Sequence, residues 1–133
     1  MKPLIVYDSM TGNVKRFVSK LEYENLQITS DLEVDQPYIL ITYTIGHGNV
    51  PESTKEFLNR NSLFLSGVAA SGNMNWGAYY GRAGKIISVK YNVPLIHIFE
   101  LGGNNSDVIL FKKGVEKICQ DLKSRNGFNI TMK

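Results

Sequence analysis

Five short apolar segments, separated by stretches with helical spacing, constrain the fold of this chain more than any other feature. They are PLIVY (3–7), LQIT (26–29), PYILITY (37–43), LFLSGVAA (63–70) and PLIHIFEL (94–101). β-Branched and aromatic residues dominate most of them, and polar residues rarely alternate with apolar ones. This pattern is typical of parallel strands that are covered on both faces of a sheet.

Four stretches between and after these segments have apolar residues at helical spacing. They are residues 13–21, 51–60, 77–91 and 107–123. The link SDLEVDQ (30–36) is too short for an ordinary crossover helix, so the second helix is expected to be missing or reduced. The order β-α-β-β-α-β-α-β-α predicts an α/β fold: a flavodoxin-like, doubly wound three-layer sandwich with a five-stranded parallel sheet of order 2-1-3-4-5.

Length and composition limit the domain count and the class of partner. The chain has 133 residues, which suits one domain over residues 1–122 and a C-terminal extension over 123–133, frayed or ordered. The net charge is +3, but the lysines and arginines are scattered, which argues against nucleic acid and leaves an acidic protein as a partner. A single cysteine, Cys119, lies in a helical pattern and is interpreted as a structural thiol. With no signal-peptide pattern and no membrane-length apolar run, these features predict a cytoplasmic protein.

In doubly wound folds, ligands bind beyond the carboxyl ends of the strands, where the strand order reverses between the first and third strands. This rule selects three loops, at residues 8–13, 43–50 and 71–80. Other nucleotide-binding classes lack their motifs here: there is no G-x-x-x-x-G-K-[ST], and no third glycine for a dinucleotide fingerprint. The three loops are therefore interpreted by their own composition.

The first loop predicts a phosphate site without a cation. It runs from a strand into a helix N-terminus, where unpaired N–H groups and the helix dipole favour an anion. The amides of Gly12, Asn13 and Val14 can point at one phosphate, and the hydroxyls of Ser9 and Thr11 add donors. A simple N-cap is the alternative interpretation for a single hydroxyl.

The second loop is rich in glycine and suits the edge of a flavin ring. Gly46 and Gly48 flank His47, and Tyr43 precedes them. The backbone of a short loop can present either an N–H or a C=O group. It can therefore hydrogen-bond to a flavin ring nitrogen both before and after that nitrogen gains a proton on reduction. Two interpretations of His47 remain open, one as a loop-packing residue and one as a contact to flavin or partner.

The third loop, ASGNMNWGAYYG (70–81), contains the only tryptophan, Trp76. Trp76 lies among amide and glycine residues and is predicted to stack on a planar ring rather than to fill the core. Tyr79 and Tyr80 fall on a helical pattern, and one of them is expected in the core. A phosphate anchor, a ring-side loop and a stacking loop together predict FMN.

Four motifs resemble the NrdI family, the flavodoxin-like activators of class Ib ribonucleotide reductase. They are DSMTGNVKRFV (8–18), TYTIGHGNVP (42–51), GVAASGNMNWG (67–77) and PLIHIFELGG (94–103). The resemblance extends over about residues 1–120. The stretch ASGN-x-NWG is its most specific part, because ordinary flavodoxins lack it.

The resemblance implies one FMN and a redox role as an accessory factor rather than as a conventional substrate-turning enzyme. In that family the flavin hydroquinone reduces O2, and the superoxide supports assembly of the dimanganese tyrosyl-radical cofactor in the small reductase subunit. It also implies a flavin-reducing electron donor; a monomer is expected here, with no nucleic-acid or membrane partner. No metal ligand and no catalytic side chain are implied, since the chemistry takes place on the flavin.

The resemblance assigns the cofactor contacts residue by residue. The phosphate contacts are Ser9, Thr11, Gly12, Asn13 and Val14, the contacts on one side of the ring are Tyr43, Thr44 and Gly46, and those opposite are Asn73, Trp76 and Gly77. Further candidates are His47, Tyr80, Glu100 and Leu101. The general alternatives are an electron-carrying flavodoxin and a flavin-free α/β binding module.

The charges around the three loops predict that the flavin is readily reduced to the hydroquinone, with a modest gap between the potentials of the two one-electron reduction steps. The nearby acids are Asp8 and Glu52, and the nearby cations are Lys15, Arg16, Lys55 and Arg82. Cations stabilise an anionic reduced ring, whereas the acidic surroundings of a common flavodoxin repel it.

Overall fold

The computed structural model describes the backbone of residues 3–132 and the side chains of residues 3–125. Its strands are β1 (Leu4–Tyr7), β2 (Glu24–Gln27), β3 (Tyr38–Tyr43), β4 (Leu65–Gly72) and β5 (Leu95–Glu100). Its α-helices are α1 (Asn13–Ser19), α2 (Glu52–Asn61), α3 (Arg82–Tyr91) and α4 (Asn105–Met132). Two 3-10 segments, Ser62–Phe64 and Met74–Tyr79, precede β4 and α3.

The five strands form one parallel sheet in the order β2-β1-β3-β4-β5. The predicted fold class and strand order are therefore confirmed. Because all strands run in one direction, the loops after β1, β3 and β4 emerge at the same edge of the sheet, which is where the sequence placed the ligand loops.

The sheet is packed on both faces, as the apolar strands require. One buried cluster joins α1 and α4 to the sheet around Phe17, Phe99 and Phe111, with the rings of Phe17 and Phe99 stacked at 3.9 Å between centroids. The other joins α2 and α3 to the opposite face around Tyr38 and Phe57. Burial of these large side chains supplies the main stabilisation of the sandwich.

The link between β2 and β3 contains no helix in the part of the chain that the structure describes, as expected from its length. The buried side chain of Asn61 binds this link instead. It accepts a hydrogen bond from the amide of Val34 at 2.8 Å and donates one to the carbonyl of Leu32 at 3.0 Å. One amide side chain thus satisfies the backbone of a segment that has no ladder of its own.

The predicted helix over residues 77–91 is shorter than expected. Gly77 has a φ of 55° and kinks the 3-10 segment, and Gly81 has a φ of 64° and forms the N-cap of α3, which therefore starts only at Arg82. As a consequence Tyr79 is exposed and Tyr80 only half-buried, so the expectation that one of them lies in the core was wrong.

The last helix continues to Met132, beyond the helical pattern that the sequence indicated. The division of the chain at residue 122 stays a prediction. Within the described residues, no helix has the length and apolar character that crossing a membrane requires.

Candidate functional site

A cleft of about 150 Å³ opens at the carboxyl ends of β1, β3 and β4. It is smaller than a typical enclosed ligand pocket, so a bound nucleotide would keep one edge in solvent. The residues that line it are Ser9, Met10, Thr11, Asn13, Val14, Tyr43, Thr44, Gly46, Ser71, Gly72, Asn73, Trp76, Tyr79 and Leu101.

Most of the site residues predicted from the sequence lie in this lining. Five others do not line the cleft, namely Gly12, His47, Gly77, Tyr80 and Glu100. Sequence reasoning missed Met10, Ser71, Gly72 and Tyr79. Ser71 and Gly72 lie within the predicted third loop, although neither was named as a contact, and the structure shows that they end β4.

The first loop presents free amides at the start of α1. Gly12 occupies the N-cap position with φ 90° and makes no side-chain cap. Within residues 3–125, the amides of Gly12, Asn13 and Val14 have no acceptor, whereas the amide of Lys15 donates to Oγ of Ser9 at 3.3 Å. Three unpaired amides at one helix end favour an anion over a neutral ligand.

The hydroxyl of Thr44 is buried without a hydrogen-bond partner among the described residues. Its backbone amide donates to the carbonyl of Ser71 at 3.0 Å, which fixes the residue between β3 and β4. A buried polar atom without a partner costs stability unless something else binds it. Since Thr44 lines the cleft, the missing partner is best supplied by a polar ligand there.

Asp8 is a buried carboxylate directly after β1. It accepts hydrogen bonds from the hydroxyls of Ser53 and Thr54, the latter at 2.7 Å. Burial, and after it the negative charge of Asp8, raises the pKa of the Tyr43 phenol, and the hydroxyl of Ser53 acts in the opposite direction. Tyr43 therefore remains a neutral phenol on the wall of the cleft.

The third loop places Trp76 at the rim of the cleft with 52% of its surface exposed. The expectation that its ring lies outside the core is confirmed. The amide of Trp76 donates to the carbonyl of Asn73 at 3.0 Å, and the amide of Met74 donates to a carboxylate oxygen of Glu100 at 3.1 Å. Glu100 thus holds the third loop to β5 and does not itself line the cleft.

His47 lies at the tip of a small hairpin that is closed by the Ile45–Asn49 bridge. Its ring is 6.0 Å from that of Trp76 and 5.8 Å from that of Tyr79, measured between centroids. Of the two interpretations, this geometry favours loop packing. His47 connects the second loop to the third by contacts between rings.

The turn after β5 closes the remaining side. Leu101 has φ 53°, its amide donates to Gly72 at 2.9 Å, and its carbonyl accepts from the hydroxyl of Ser71 at 2.6 Å. The ring of Tyr80 lies close to Gly72 at the end of β4. Burial, followed by the charges of Asp107 and Glu100, raises the pKa of the Tyr80 phenol.

These residues fit a flavin mononucleotide. Unpaired amides suit its phosphate, the orphaned hydroxyl of Thr44 suits a polar atom of its ring system, and Tyr43 and Trp76 supply flat apolar surfaces. Among the side chains of the described residues, no group of three or more His, Cys, Asp or Glu residues could hold a metal ion.

Comparison with solved structures places the fold among the flavodoxins. A short-chain flavodoxin associated with a non-canonical PDU bacterial microcompartment has a TM-score of 0.67 at 21% identity, with 90% of this chain and 97% of that chain covered. The two-electron reduced flavodoxin of Megasphaera elsdenii has a TM-score of 0.59 at 16% identity, with 86% and 98% covered. At these identities the likeness shows the fold alone.

Comparison of sequences identifies the family. The family model described as NrdI Flavodoxin like matches residues 5–113. The curated Protein NrdI of Macrococcus caseolyticus (strain JCSC5402) is 51% identical over 118 residues, which cover 88% of this chain and 92% of that protein. The resemblance found in the four motifs is therefore confirmed: the chain belongs to the NrdI flavodoxin-like family, and proteins of the NrdI and flavodoxin families bind FMN.

Proposed function

We propose that this protein binds one FMN in the cleft between its three loops and supports a class Ib ribonucleotide reductase. Bound there, the flavin would supply the one-electron reduction of O2 to superoxide for assembly of the dimanganese tyrosyl-radical cofactor. Membership of the NrdI family, which implies association with that reductase, supports the proposal. The observation that carries it is the orphaned hydroxyl of Thr44 in a cleft at the reversal point of the strand order.

The protein's own residues bind and orient the cofactor in this proposal. Ser9, Thr11, Gly12, Asn13 and Val14 would hold the phosphate. Tyr43, Thr44 and Gly46 would contact one side of the ring, and Asn73, Trp76 and Gly77 the other. Leu101 and the four lining residues found only in the structure complete the cleft. Glu100, His47 and Tyr80 do not line the cleft, and they contact the loops and the strand that carry these residues.

The shallow cleft also leaves an edge of the ring open to O2 and to a partner. Exposed apolar side chains lie on the three loops that form this opening, namely Met10 (65% exposed), Ile45 (40%) and Met74 (60%). Such a rim suits docking of the small reductase subunit over the cofactor, so that superoxide passes between the two proteins without entering bulk water.

Charges near the cleft favour an easily reduced cofactor. Asp8 is already hydrogen-bonded to two hydroxyls, and Glu52 lies 3.8 Å from the Lys55 ammonium group. Arg16 and Arg82 lie beside the first and second loops. A reductive titration of the FMN-loaded protein is expected to show a modest gap between the potentials of the two one-electron reduction steps. A very large gap would contradict the expected effect of these charges.

The function is tested by reconstitution. The purified protein is loaded with FMN, reduced, mixed with the manganese-loaded small subunit and exposed to O2, and the tyrosyl radical is measured by electron paramagnetic resonance. Radical that forms only with the loaded protein and survives added superoxide dismutase supports the proposal. Radical abolished completely by the dismutase contradicts the protected route, and efficient reduction of unrelated acceptors without radical formation indicates a general electron carrier.

Three further features belong to the same proposal. We place the protein in the cytoplasm as a monomer, and a separate electron donor reduces its flavin. In this role it is an accessory redox factor that is oxidised by O2 and re-reduced by that donor, rather than an enzyme with its own substrate.

A further inference from the structure

Asp8 carries a buried negative charge that the proposed cofactor contacts do not use. Only 7% of the residue is exposed, and among residues 3–125 no lysine or arginine nitrogen lies within 4.0 Å of its carboxylate. The hydroxyls of Ser53 and Thr54 stabilise the charge instead, since both donate to Oδ2. These two donors are the second and third residues of α2, so the carboxylate lies near the positive end of that helix dipole.

The attachment of α2 to β1 does not require a charge at this position. Both hydroxyls bond to one oxygen of Asp8, and Oδ1 accepts no hydrogen bond from the described residues. A neutral acceptor, such as the amide oxygen of an asparagine, would serve the same two donors. Because a buried charge costs more free energy than a buried neutral group, the negative charge exceeds what the fold needs here.

The carboxylate lies next to the wall of the cleft. After β1, Asp8 is followed by Ser9, which lines the cleft. On β3, Thr42 bonds to the Thr54 hydroxyl of the same network at 2.8 Å, and it is followed by Tyr43, which also lines the cleft. Burial, and after it the charge of Asp8, raises the pKa of the Tyr43 phenol. The field of the carboxylate therefore reaches the wall of the cleft.

We propose that Asp8 lowers the potential of the bound flavin by disfavouring negative charge on its reduced ring. This inference rests on the proposed function, which places the ring against Tyr43. The oxidised ring is neutral and is affected little, whereas an anionic reduced ring is repelled. Because Asp8 is buried, water and salt screen its charge less than the charges of the exposed cations around the loops. Asp8 thus acts without contacting the cofactor, and it makes the reduced protein a stronger reductant towards O2.

Glu52 offers a matched control beside the same network. It carries the same charge and is the first residue of α2, next to Ser53. Its side chain is 79% exposed, and Oε1 lies 3.8 Å from Nζ of Lys55. Loss of this charge changes the net charge of the protein as much as loss of the Asp8 charge, but at a position where solvent screening is strong.

The test compares the oxidised and reduced cofactor on the full-length protein. Wild type, Asp8→Asn and Glu52→Gln are loaded with FMN, and the two one-electron potentials are measured by titration against redox dyes. Asp8→Asn should favour the fully reduced flavin over the one-electron-reduced form by about tenfold, which raises the potential of the second step by about 59 mV. Its affinity for oxidised FMN, measured by fluorescence quenching, should stay within about twofold of wild type. Glu52→Gln should change neither quantity by more than about twofold.

A second readout needs no flavin. In the apoprotein, the pKa of the Tyr43 phenol is obtained from alkaline absorbance titrations with and without the additional substitution Tyr43→Phe. Asp8→Asn should lower this pKa, because the nearby negative charge is lost.

Ser53→Ala keeps the test decisive if Asp8→Asn does not fold. It leaves the charge in place and removes one of its donors, so it should raise the pKa of Tyr43 and lower the potential of the second step.

Equal changes in the affinities for oxidised and reduced FMN in Asp8→Asn would indicate a purely structural role and would overturn the inference. An equal shift of potential in Glu52→Gln, or a raised potential in Ser53→Ala, would also overturn it. Wild type that binds FMN, with unchanged potentials or an unchanged Tyr43 pKa in Asp8→Asn, would overturn this inference alone. Wild type that binds no FMN would overturn the proposed function together with it.

Discussion

At the scale of single residues, two neighbouring threonines at the end of β3 have opposite hydrogen-bonding states. The hydroxyl of Thr42 is fully buried and bonds to that of Thr54 at 2.8 Å, whereas the hydroxyl of Thr44 is buried without a partner among the described residues. The same substitution at the two positions therefore separates a structural hydroxyl from one that serves a ligand.

Thr44→Val is expected to raise the free energy of unfolding of the apoprotein by about 1 kcal/mol, because it removes an unsatisfied buried polar atom. The same change should weaken FMN binding roughly fivefold, since the ligand loses a hydrogen bond. Urea denaturation and flavin titration measure the two effects.

Thr42→Val is the control, and it should lower the free energy of unfolding by about 1 kcal/mol, because Thr54 then loses a partner. A stability loss in Thr44→Val as large as that in Thr42→Val would contradict the assignment of Thr44 to the ligand.

The sequence was informative about single residues where chemistry is local. Trp76, flanked by amides and glycine, was correctly placed outside the core, and the three loops followed from strand order. The hydrogen bonds from Lys20 to the carbonyls of Gly102 and Gly103 could not be predicted, because these residues lie more than eighty positions apart in the chain. Ser71 and Gly72 fell inside the predicted third loop, but the sequence did not show that β4 continues through them to the wall of the cleft.

At the scale of elements, the boundary between the third loop and α3 depends on Gly81. Its φ is +64°, and a Cβ atom there would lie 2.2 Å from Cγ2 of Ile98 on β5. The helical spacing of residues 77–91 predicted one continuous helix, because periodicity does not show which glycine adopts positive φ. Two conditions, the backbone angle and the contact with β5, require glycine at this position.

Gly81→Ala is expected to lower the free energy of unfolding by about 3 kcal/mol, because it combines backbone strain with overpacking against Ile98. Gly46→Ala is the control: φ is +56°, but the nearest atom to its Cβ is 3.5 Å away. It should cost about 1 kcal/mol. Equal losses in urea denaturation would show that the contact with Ile98 is unimportant.

The start of α4 is held by a reciprocal pair of hydrogen bonds. The amide of Asn104 donates to Oδ2 of Asp107 at 2.8 Å, and the amide of Asp107 donates to Oδ1 of Asn104 at 2.9 Å. The other oxygen of Asp107 lies 2.7 Å from Nε2 of His97 on β5. One carboxylate thus caps the helix and joins it to the sheet.

Asp107→Ala should lower the free energy of unfolding by about 2 kcal/mol, because both the cap and the contact with His97 are lost. Asp121→Ala, an exposed position on the same helix, should change it by less than about 0.5 kcal/mol. Thermal and urea denaturation measure both, and similar values for the two variants would contradict the role of the cap.

At the scale of the whole molecule, four tyrosines couple the fold to alkaline pH. Burial is the largest cause of a raised phenol pKa at Tyr23, Tyr38, Tyr43 and Tyr80, relative to the ordinary value of 10.0. The unfolded chain therefore releases these protons at lower pH than the native protein does. Above about pH 10 the native state binds more protons, so stability falls as pH rises.

The free energy of unfolding is expected to show little tyrosine-dependent change below about pH 9 and to decline steadily above about pH 10. Urea denaturation between pH 8 and pH 11 measures the decline. In Tyr38→Phe the decline should be shallower, although the variant is less stable at neutral pH because the carbonyl of Asn61 loses its 2.6 Å hydrogen bond. An identical decline in both proteins would contradict the contribution of Tyr38.

The hairpin from Ile45 to Asn49 contacts the third loop and the start of α3 through the His47 ring and through Gly48, which packs against Tyr79 and Arg82. Among the described residues, one hydrogen bond adds to these contacts, from Arg82 to the His47 carbonyl at 3.3 Å. Contacts between aromatic rings are worth about 1 kcal/mol each, far less than the backbone ladder of the neighbouring strands. The loops at the opening of the cleft can therefore move while the sheet stays rigid. In the proposed function, a flavin ring that changes its protonation on reduction would meet backbone that can adapt to it, and the sheet would not be distorted.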